Sequence, residues 1–334
     1  MKSIDRFLLN ELWKGLQHQE IAFYIDDICT YDKAMASIRM RCYDIISFLK
    51  KNQVSAELYK PWKKYKVVIF TKTRDDKAVN TAKKLHESGV KVIFDAYCEF
   101  IADETRNQEK ERINILKIVA MADYLITCSV EQQIDFKKYH NQVALIPESV
   151  HDNFFSVKKE HVKTDKITLV YCGYSKKAKD TLCIIEELKW LQQKYDCNLL
   201  YICEKNPELA DLRYDYIKYE QSKIHKQLLL GDIMIAPRPM EGIENLAHSF
   251  SKVAYPLSVG LPTVASPVPS YLNTPVIICR EADEWLNTLS ELITDPEYRQ
   301  RAGASGRDYV YQMLSLNVIG NQYKRIIEEL LYES

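Results

Sequence analysis

Residues 231–271 read GDIMIAPRPMEGIENLAHSFSKVAYPLSVGLPTVASPVPSY, and the order of apolar run, polar loop, helix and second apolar run within them decides the fold. The run 233–237 is short and apolar and is stopped by Pro237 and Pro239, which reads as a buried strand. The loop 238–248 is polar and carries one glycine. A helix follows, with Ser249 or Ser251 as its cap and Phe250, Val253, Ala254, Leu257 and Ser258 as its inner face. Gly260 and Pro262 end it, and a second buried strand occupies 263–266. In an open parallel sheet this order puts a loop at the carboxyl end of a strand, where ligands bind. It also puts a helix N-terminus there, whose free N–H groups and dipole favour an anion. A phosphate is therefore the expected ligand.

The same alternation runs outward in both directions. Strands at 167–171, 199–203 and, shorter, near 217–219 precede the stretch, with helices at about 180–195 and 222–230, and a strand at 276–279 and further helices follow it. Nearer the start, strands at 21–25, 67–71, 90–94, 124–128 and 143–146 alternate with helices at about 38–50, 76–87, 104–122 and 130–139. Buried strands alternating with helices specify a parallel sheet covered on both faces. The segment 150–166 is polar and lysine-rich without apolar periodicity, and reads as a linker. A chain of 334 residues exceeds the roughly 250–300 at which a single core stops growing. Two doubly wound α/β domains are expected, 1–150 and 151–316, facing a central cleft. At the start, Ile4, Phe7, Leu8, Leu12 and Leu16 recur at helical spacing beside Trp13, with Lys2, Arg6 and Lys14 flanking. That is an amphipathic helix, which either packs on its own domain or lies on a membrane surface.

Charge and cysteine usage exclude several classes. Lysine plus arginine number 46 and aspartate plus glutamate 46, so no basic field argues for nucleic acid. The nine cysteines are scattered, with no C-x-x-C pair and no histidine at metal-ligand spacing. They read as reduced thiols of a cytosolic protein, not a disulfide framework or a zinc site. No apolar run approaches the ~20 residues of a membrane span, and the charged start does not read as a secretory leader. A soluble cytoplasmic protein is expected, with residues 4–16 as its possible contact with the inner face of a membrane. The P-loop, the G-x-G-x-x-G dinucleotide fingerprint and the G-x-S-x-G elbow are all missing.

Candidate site residues lie at strand ends. After 167–171 comes Cys172-Gly173-Tyr174-Ser175-Lys176-Lys177-Ala178-Lys179: a glycine permitting close backbone approach, then three lysines able to neutralise a diphosphate or simply to sit in solvent at a helix start. Around 217–220, Tyr219 and Glu220 are placed to meet a base and a ribose. In the first domain, Arg39 and Arg41 start the helix after the first strand; two positions apart, they do not share a helical face, so at most one points into the cleft. Asp95 directly follows the strand 90–94, with Glu99 and Asp103 beyond it, and is positioned to accept from a sugar hydroxyl, act as a base or cap the next helix. His248 is the histidine of the proposed ligand loop.

The succession ADYLITCS (122–129), VALIPESVHDNFF (143–155), ITLVYCGYSKKAKD (167–180), GDIMIAPRP (231–239) and SFSKVAYPLSVGLPTVASPVPSY (249–271) resembles the GT-B glycosyltransferases, and among them the retaining enzymes of family 4. The likeness runs from Ile21 onward. It implies two Rossmann-like domains, a nucleotide-sugar donor on the second, a glycan or lipid-linked acceptor on the first, and a last helix, 317–331, crossing back to the first. By position, Asn245, His248, Ser249, Phe250, Ser251 and Lys252 would meet the donor diphosphate, with Gly173 beside it. Lys177 or Lys179 would neutralise phosphate, residues 217–220 would line the base, and Arg39 or Arg41 would approach from the first domain.

The resemblance has departures. Most members carry two glutamates eight positions apart around the donor helix, where this chain has Ala247 and Tyr255, and many have an arginine where Tyr174 stands. That leaves the ribose to Glu241, Glu244 or Tyr255, or leaves a degenerate site. The implied chemistry is sugar transfer with retention, in which helix amides and lysine charge stabilise the leaving diphosphate and no metal is required. An inactive subunit that binds a glycan or a partner enzyme, and a sugar-nucleotide epimerase, are the alternatives.

Overall fold

The computed structural model describes residues 21–96, 109–164 and 166–332. The amphipathic stretch 4–16, Cys98, Glu99, Asp103 and the start of the helix expected from 104 lie outside them. The chain divides into two units, one formed by Met1–Ser149 with Leu316–Ser334 and the other by Val150–Ser315.

The first unit holds strands β1 (Ile21–Tyr24), β2 (Ala56–Leu58), β3 (Val67–Thr71), β4 (Lys91–Asp95), β5 (Tyr124–Thr127) and β6 (Val143–Leu145). They form one sheet in the order β2-β1-β3-β4-β5-β6, and every neighbouring pair is parallel. All five residues of β3 are buried, which is why its sequence VVIFT shows no polar alternation: helices cover both faces. Sequence periodicity missed β2, since AEL is too short to show a period. It pairs with β1 through Ile21↔Ala56 to Phe23↔Leu58. Helix Asp76–Glu87 begins where Asp75 accepts from the Ala78 N–H at 2.6 Å, an N-cap written in the sequence. Ala78 and Ala82 turn its small face onto the sheet, among the buried Ala22, Val68, Phe70, Val92 and Phe94.

The helix expected from 38 is continuous but not uniform. Residues Ala36–Ile38 lead into a π-helical turn, Arg39–Tyr43, and then into Asp44–Lys51. A π-turn adds a residue to the helical circuit and changes which side chains face inward. Arg39 and Arg41 are accordingly both buried, at 5% and 1% exposure. Arg39 donates through Nη1 to the carbonyl of Ala34. Arg41 donates through Nε to both carboxylate oxygens of Asp95, at 2.8 and 3.0 Å, and through Nη1 to the carbonyl of Ile146 at 2.9 Å. The hydroxyl of Tyr323, on the last helix Leu316–Tyr332, donates to Asp95 at 2.6 Å. One carboxylate thereby ties three segments of this unit together.

The second unit holds β7 (Thr168–Cys172), β8 (Asn198–Cys203), β9 (Asp215–Lys218), β10 (Ile233–Ala236), β11 (Thr263–Ala265) and β12 (Ile277–Ile278). Their order is β12-β11-β10-β7-β8-β9, all parallel. Successive strands run outward from β7 to one edge, and the chain then returns to β10 on its other side. That reversal creates a topological switch point between β7 and β10. The helix expected at 180–195 is α-helical only over Ile185–Tyr195, the preceding Lys177–Ile184 being 3₁₀.

The segment expected to be a linker is instead strapped onto the second unit. Arg307 donates to the carbonyls of Phe155 and Val157, Arg299 donates to that of Val162, and the Lys159 N–H donates to Val259. Phe154 is buried and stacks on Tyr255 at 4.1 Å. Its polar sequence hides this because, beside Phe154, much of the fastening is done by arginine side chains and backbone groups.

Asp95 and Arg41 are a charge pair with almost no exposure, and removing one member of such a pair leaves the other charge buried and uncompensated. Asp95→Ala should destabilise the first unit by about 3–5 kcal/mol, read as a lower urea midpoint for the probes of that unit. An unchanged midpoint would show that the pair does not hold it together.

Candidate active site

The carboxyl ends of β7 and β10 flank the switch point, and the residues there form a cationic cluster. Tyr171 is the last residue but one of β7, and its ring is fully buried. The ammonium of Lys252 lies 3.7 Å from the centre of that ring and donates to the carbonyl of Cys172 at 3.0 Å. A face of negative quadrupole and a carbonyl are what a partly buried ammonium needs in the absence of a carboxylate. Gly173 makes the approach possible: a Cβ there would lie 2.7 Å from Lys252 Nζ and 3.0 Å from the Tyr171 hydroxyl. That hydroxyl is buried and has no hydrogen-bond partner among the described residues.

Arg238 follows β10 and is 5% exposed. Its backbone N–H donates to the Ser266 hydroxyl at 2.8 Å and its Nη1 donates to Asn245 Oδ1 at 2.8 Å. Asn245 in turn donates to the carbonyl of Glu241, inside the short helix Ile243–Leu246 that interrupts the loop expected at 238–248. His248 Nδ1 lies 3.0 Å from the carbonyl of Ser249, so Nδ1 carries the proton and donates. Burial, then Arg238, with smaller contributions from Lys252 and Lys177, push the His248 pKa down to about 3. The imidazole is neutral across the working range, with Nε2 as an acceptor. Burial, and then Arg238, likewise lower Lys252 to about 8, partly countered by Cys172 and Asp180.

Helix Ser251–Ser258 starts beside this cluster. Its N-cap is Phe250, not a serine, and no side chain caps it; the Ser249 and Ser251 hydroxyls bond each other at 2.8 Å instead. The expectation of a serine cap is corrected by that pairing. The inner face is as expected, with Phe250, Val253, Ala254, Leu257 and Ser258 all buried, and Gly260 ends the turn at φ +85°. An uncapped helix N-terminus, a partly buried ammonium, a guanidinium and a glycine at a sheet switch point are an arrangement suited to an anion.

The structure therefore brings together Gly173, Asn245, His248, Ser249, Phe250, Ser251 and Lys252. Lys177 stands near enough to act on His248, whereas Lys179 is exposed on the 3₁₀ segment. Tyr219 and Glu220 follow the edge strand β9, two strands from β7. Tyr219 donates to Gln221, and Glu220 pairs with Lys223 at 2.7 Å. The ring face of Tyr255 is taken by Phe154, which counts against its holding a ribose. Glu241 is exposed, and the side chain of Glu244 lies outside the description. In the first unit, Asp95 is fully buried and its carboxylate is engaged by Arg41 and Tyr323, so its surroundings make it a structural anion and not an accessible base. The reading of Arg39 or Arg41 as a cation reaching a ligand meets the same obstacle. Sequence reasoning missed Arg238, although a lone cation directly after a strand was visible; Glu204, at the end of the strand expected at 199–203, accepts from the Ser175 N–H and hydroxyl at 2.9 and 2.6 Å and braces the loop after Gly173.

No protein-family model matches the chain and no curated protein matches it in sequence. Solved structures do match. HepE from Anabaena, in complex with UDP and glucose, superposes with a TM-score of 0.68 at 12% identity, over 93% of this chain and 100% of that one. An alpha-glucosyltransferase in complex with UDP-glucose and DNA containing an abasic site gives 0.66 at 10% identity, over 93% and 100%. A protein from Listeria monocytogenes assigned as a UDP-N-acetylglucosamine 2-epimerase gives 0.60 at 9% identity, over 95% and 98%. At these identities the likeness is one of fold. The two six-stranded parallel sheets are those of the GT-B glycosyltransferase fold.

Because a Cβ at Gly173 would meet the tip of Lys252 and also crowd the buried Tyr171 hydroxyl at 3.0 Å, Gly173→Ala should displace Lys252 and lower the melting temperature without unfolding the unit. Inorganic pyrophosphate, titrated calorimetrically, should then bind about tenfold or more weakly, the loss of one hydrogen bond to a charged group. Undiminished pyrophosphate binding would place the anion elsewhere.

Proposed function

We propose that the chain is a glycosyltransferase that takes a sugar from a nucleoside diphosphate donor, UDP-linked by the company its fold keeps, and passes it with retention to a hydroxyl of a glycan or lipid-linked acceptor. The observation that carries this is the cluster of Lys252, Arg238 and Gly173 beside the uncapped start of helix Ser251–Ser258. The anomeric carbon–oxygen bond breaks, the diphosphate leaves with the electron pair, and the acceptor oxygen bonds to the same carbon. The acceptor proton passes to the departing phosphate. Lys252 and the helix amides meet the negative charge as it develops, with Lys177 and Lys179 adding positive charge at the rim. Neutral His248 offers Nε2 to a hydroxyl of the donor sugar, next to Ala247, where most family 4 members carry a glutamate. The reading places the chain near family 4, and the nucleotides named with HepE and the alpha-glucosyltransferase support a UDP donor. The epimerase-like neighbour gives one rival, isomerisation of the donor sugar, which product analysis separates from transfer.

Lys252→Met should weaken UDP-glucose binding about 10- to 100-fold, as expected for charged hydrogen bonds, and should abolish the thermal stabilisation that millimolar UDP-glucose gives the native chain. Full stabilisation of the variant would sink the assignment. The pH dependence has a definite sign. The folded pKa of Lys252 is depressed to about 8 and only the ammonium attracts the diphosphate. Affinity for UDP-glucose should thus be flat below about pH 7 and fall by up to about tenfold per unit above pH 8. No inflection should appear between pH 6 and 7, since His248 is already neutral there.

A further inference from the structure

The first unit carries a groove that neither the donor site nor the ion pair at Asp95 uses. Its volume is ≈ 390 Å³, and Tyr24, Asp26, Tyr59, Lys77, Thr81 and Lys84 are among the residues lining it, within the size range of small-ligand pockets. It exists because β2 is an edge strand and helix Asp76–Glu87 runs alongside without covering it. From Lys77 to Ser88 the helix lines about 16 Å of its length, so the groove is long relative to its volume.

Its chemistry is mixed in an ordered way. At the carboxyl end of β1, Asp26 Oδ1 is buried with no hydrogen-bond partner among the described residues. Such an oxygen is costly unless a donor arrives from outside. Burial, then Asp75 nearby, raise the Asp26 carboxyl to about 6, against the stabilising N–H of Arg74, which agrees with an acceptor awaiting a partner. The middle wall is aromatic. Tyr24 stacks on Phe70 at 4.8 Å and leans on Tyr59 at 5.7 Å, and Tyr59 is only partly buried. Along the helix side, Lys77 and Lys84 are seven residues apart on one face, about 10 Å. Both are exposed, and neither pairs with a carboxylate among the described residues. Among the described residues no group of side chains is arranged to hold a metal ion, and the acidic end, with Asp75 and Asp27 near Asp26, disfavours a ligand that is anionic throughout, leaving the lysine side for anionic groups and the Asp26 end for hydroxyls. A chain of hydroxylated rings with acidic substituents satisfies all three features at once.

We propose that this groove binds an acidic oligosaccharide, with a sugar hydroxyl donating to Asp26 Oδ1, a ring lying against Tyr59, and anionic substituents meeting Lys77 and Lys84. The inference takes from the proposed function only the expectation that the first unit meets a glycan, and it names the class of that glycan. Its test uses no nucleotide, so failure here and failure of the donor reading are separate events. Trigalacturonate and the neutral maltotriose would be compared on the full chain by saturation-transfer NMR and titration calorimetry. Trigalacturonate should bind at low millimolar concentration or better, and maltotriose at least about fivefold more weakly, the effect of two exposed ion pairs. The double variant K77Q/K84Q, whose altered side chains are exposed and should not change the melting temperature, should remove that preference, and Tyr59→Ala should weaken both sugars. Absence of trigalacturonate binding, equal binding of maltotriose, or an unchanged preference in the double variant would each overturn the proposal.

Discussion

Lys252 reaches from the first turn of helix Ser251–Ser258 to the carbonyl of Cys172 and rests on the ring of Tyr171, and the candidate site of the second unit is arranged around that contact. It fixes the helix start against the end of β7, so that the uncapped amides open onto the switch point of the sheet. It also requires Gly173, because a side chain there would occupy the space of the ammonium. Burial, and then the nearness of Arg238, work against the ammonium of Lys252 and lower its pKa. Arg238 thus acts as a like charge on Lys252, and Arg238, Lys252 and Lys177 act so on His248, an arrangement that suits an anionic ligand.

The ion pair in the first unit solves the opposite problem. Asp95 accepts from Arg41 and Tyr323, and Arg41 also finds the carbonyl of Ile146. Charge is matched within the unit, and the group that looked most like a catalytic base is used to hold the last helix. The two constellations differ in how their charge is met. The Asp95 pair is buried and closed by protein donors and acceptors, whereas Lys252, partly buried, and the buried Arg238 face one another as like charges. The Asp26 groove belongs with the second kind, since its buried oxygen lacks a protein donor among the described residues.

Much of the fold was legible in the sequence because its signals are local. The strand Val67–Thr71 and the helix Asp76–Glu87 fall where the alternation of apolar runs and amphipathic segments put them, and the helix after the loop buries the face its spacing specifies. What was illegible has equally physical reasons. Strand β2 is shorter than any period. The π-turn at Arg39–Tyr43 rotates side chains that a regular helix would have separated. The strap after Val150 is fastened by Arg299 and Arg307, so a polar composition concealed a packed segment.

The candidate site divides the same way. By itself the sequence determined the strand–loop–helix–strand order of residues 231–271, and with it a helix N-terminus at a strand end suited to an anion, because hydrogen-bond periodicity and end signals are properties of neighbouring residues. Only the tertiary structure decided that Lys252 rests on Tyr171 and the carbonyl of Cys172, that Arg238 lies beside it, that Lys179 is exposed, and that Asp95 is closed off. Lys252 meets a carbonyl 80 positions away and Tyr323 meets a carboxylate 228 positions away. The partner of a charge is chosen by how the chain is brought together in space, and no window of sequence contains both members of those pairs.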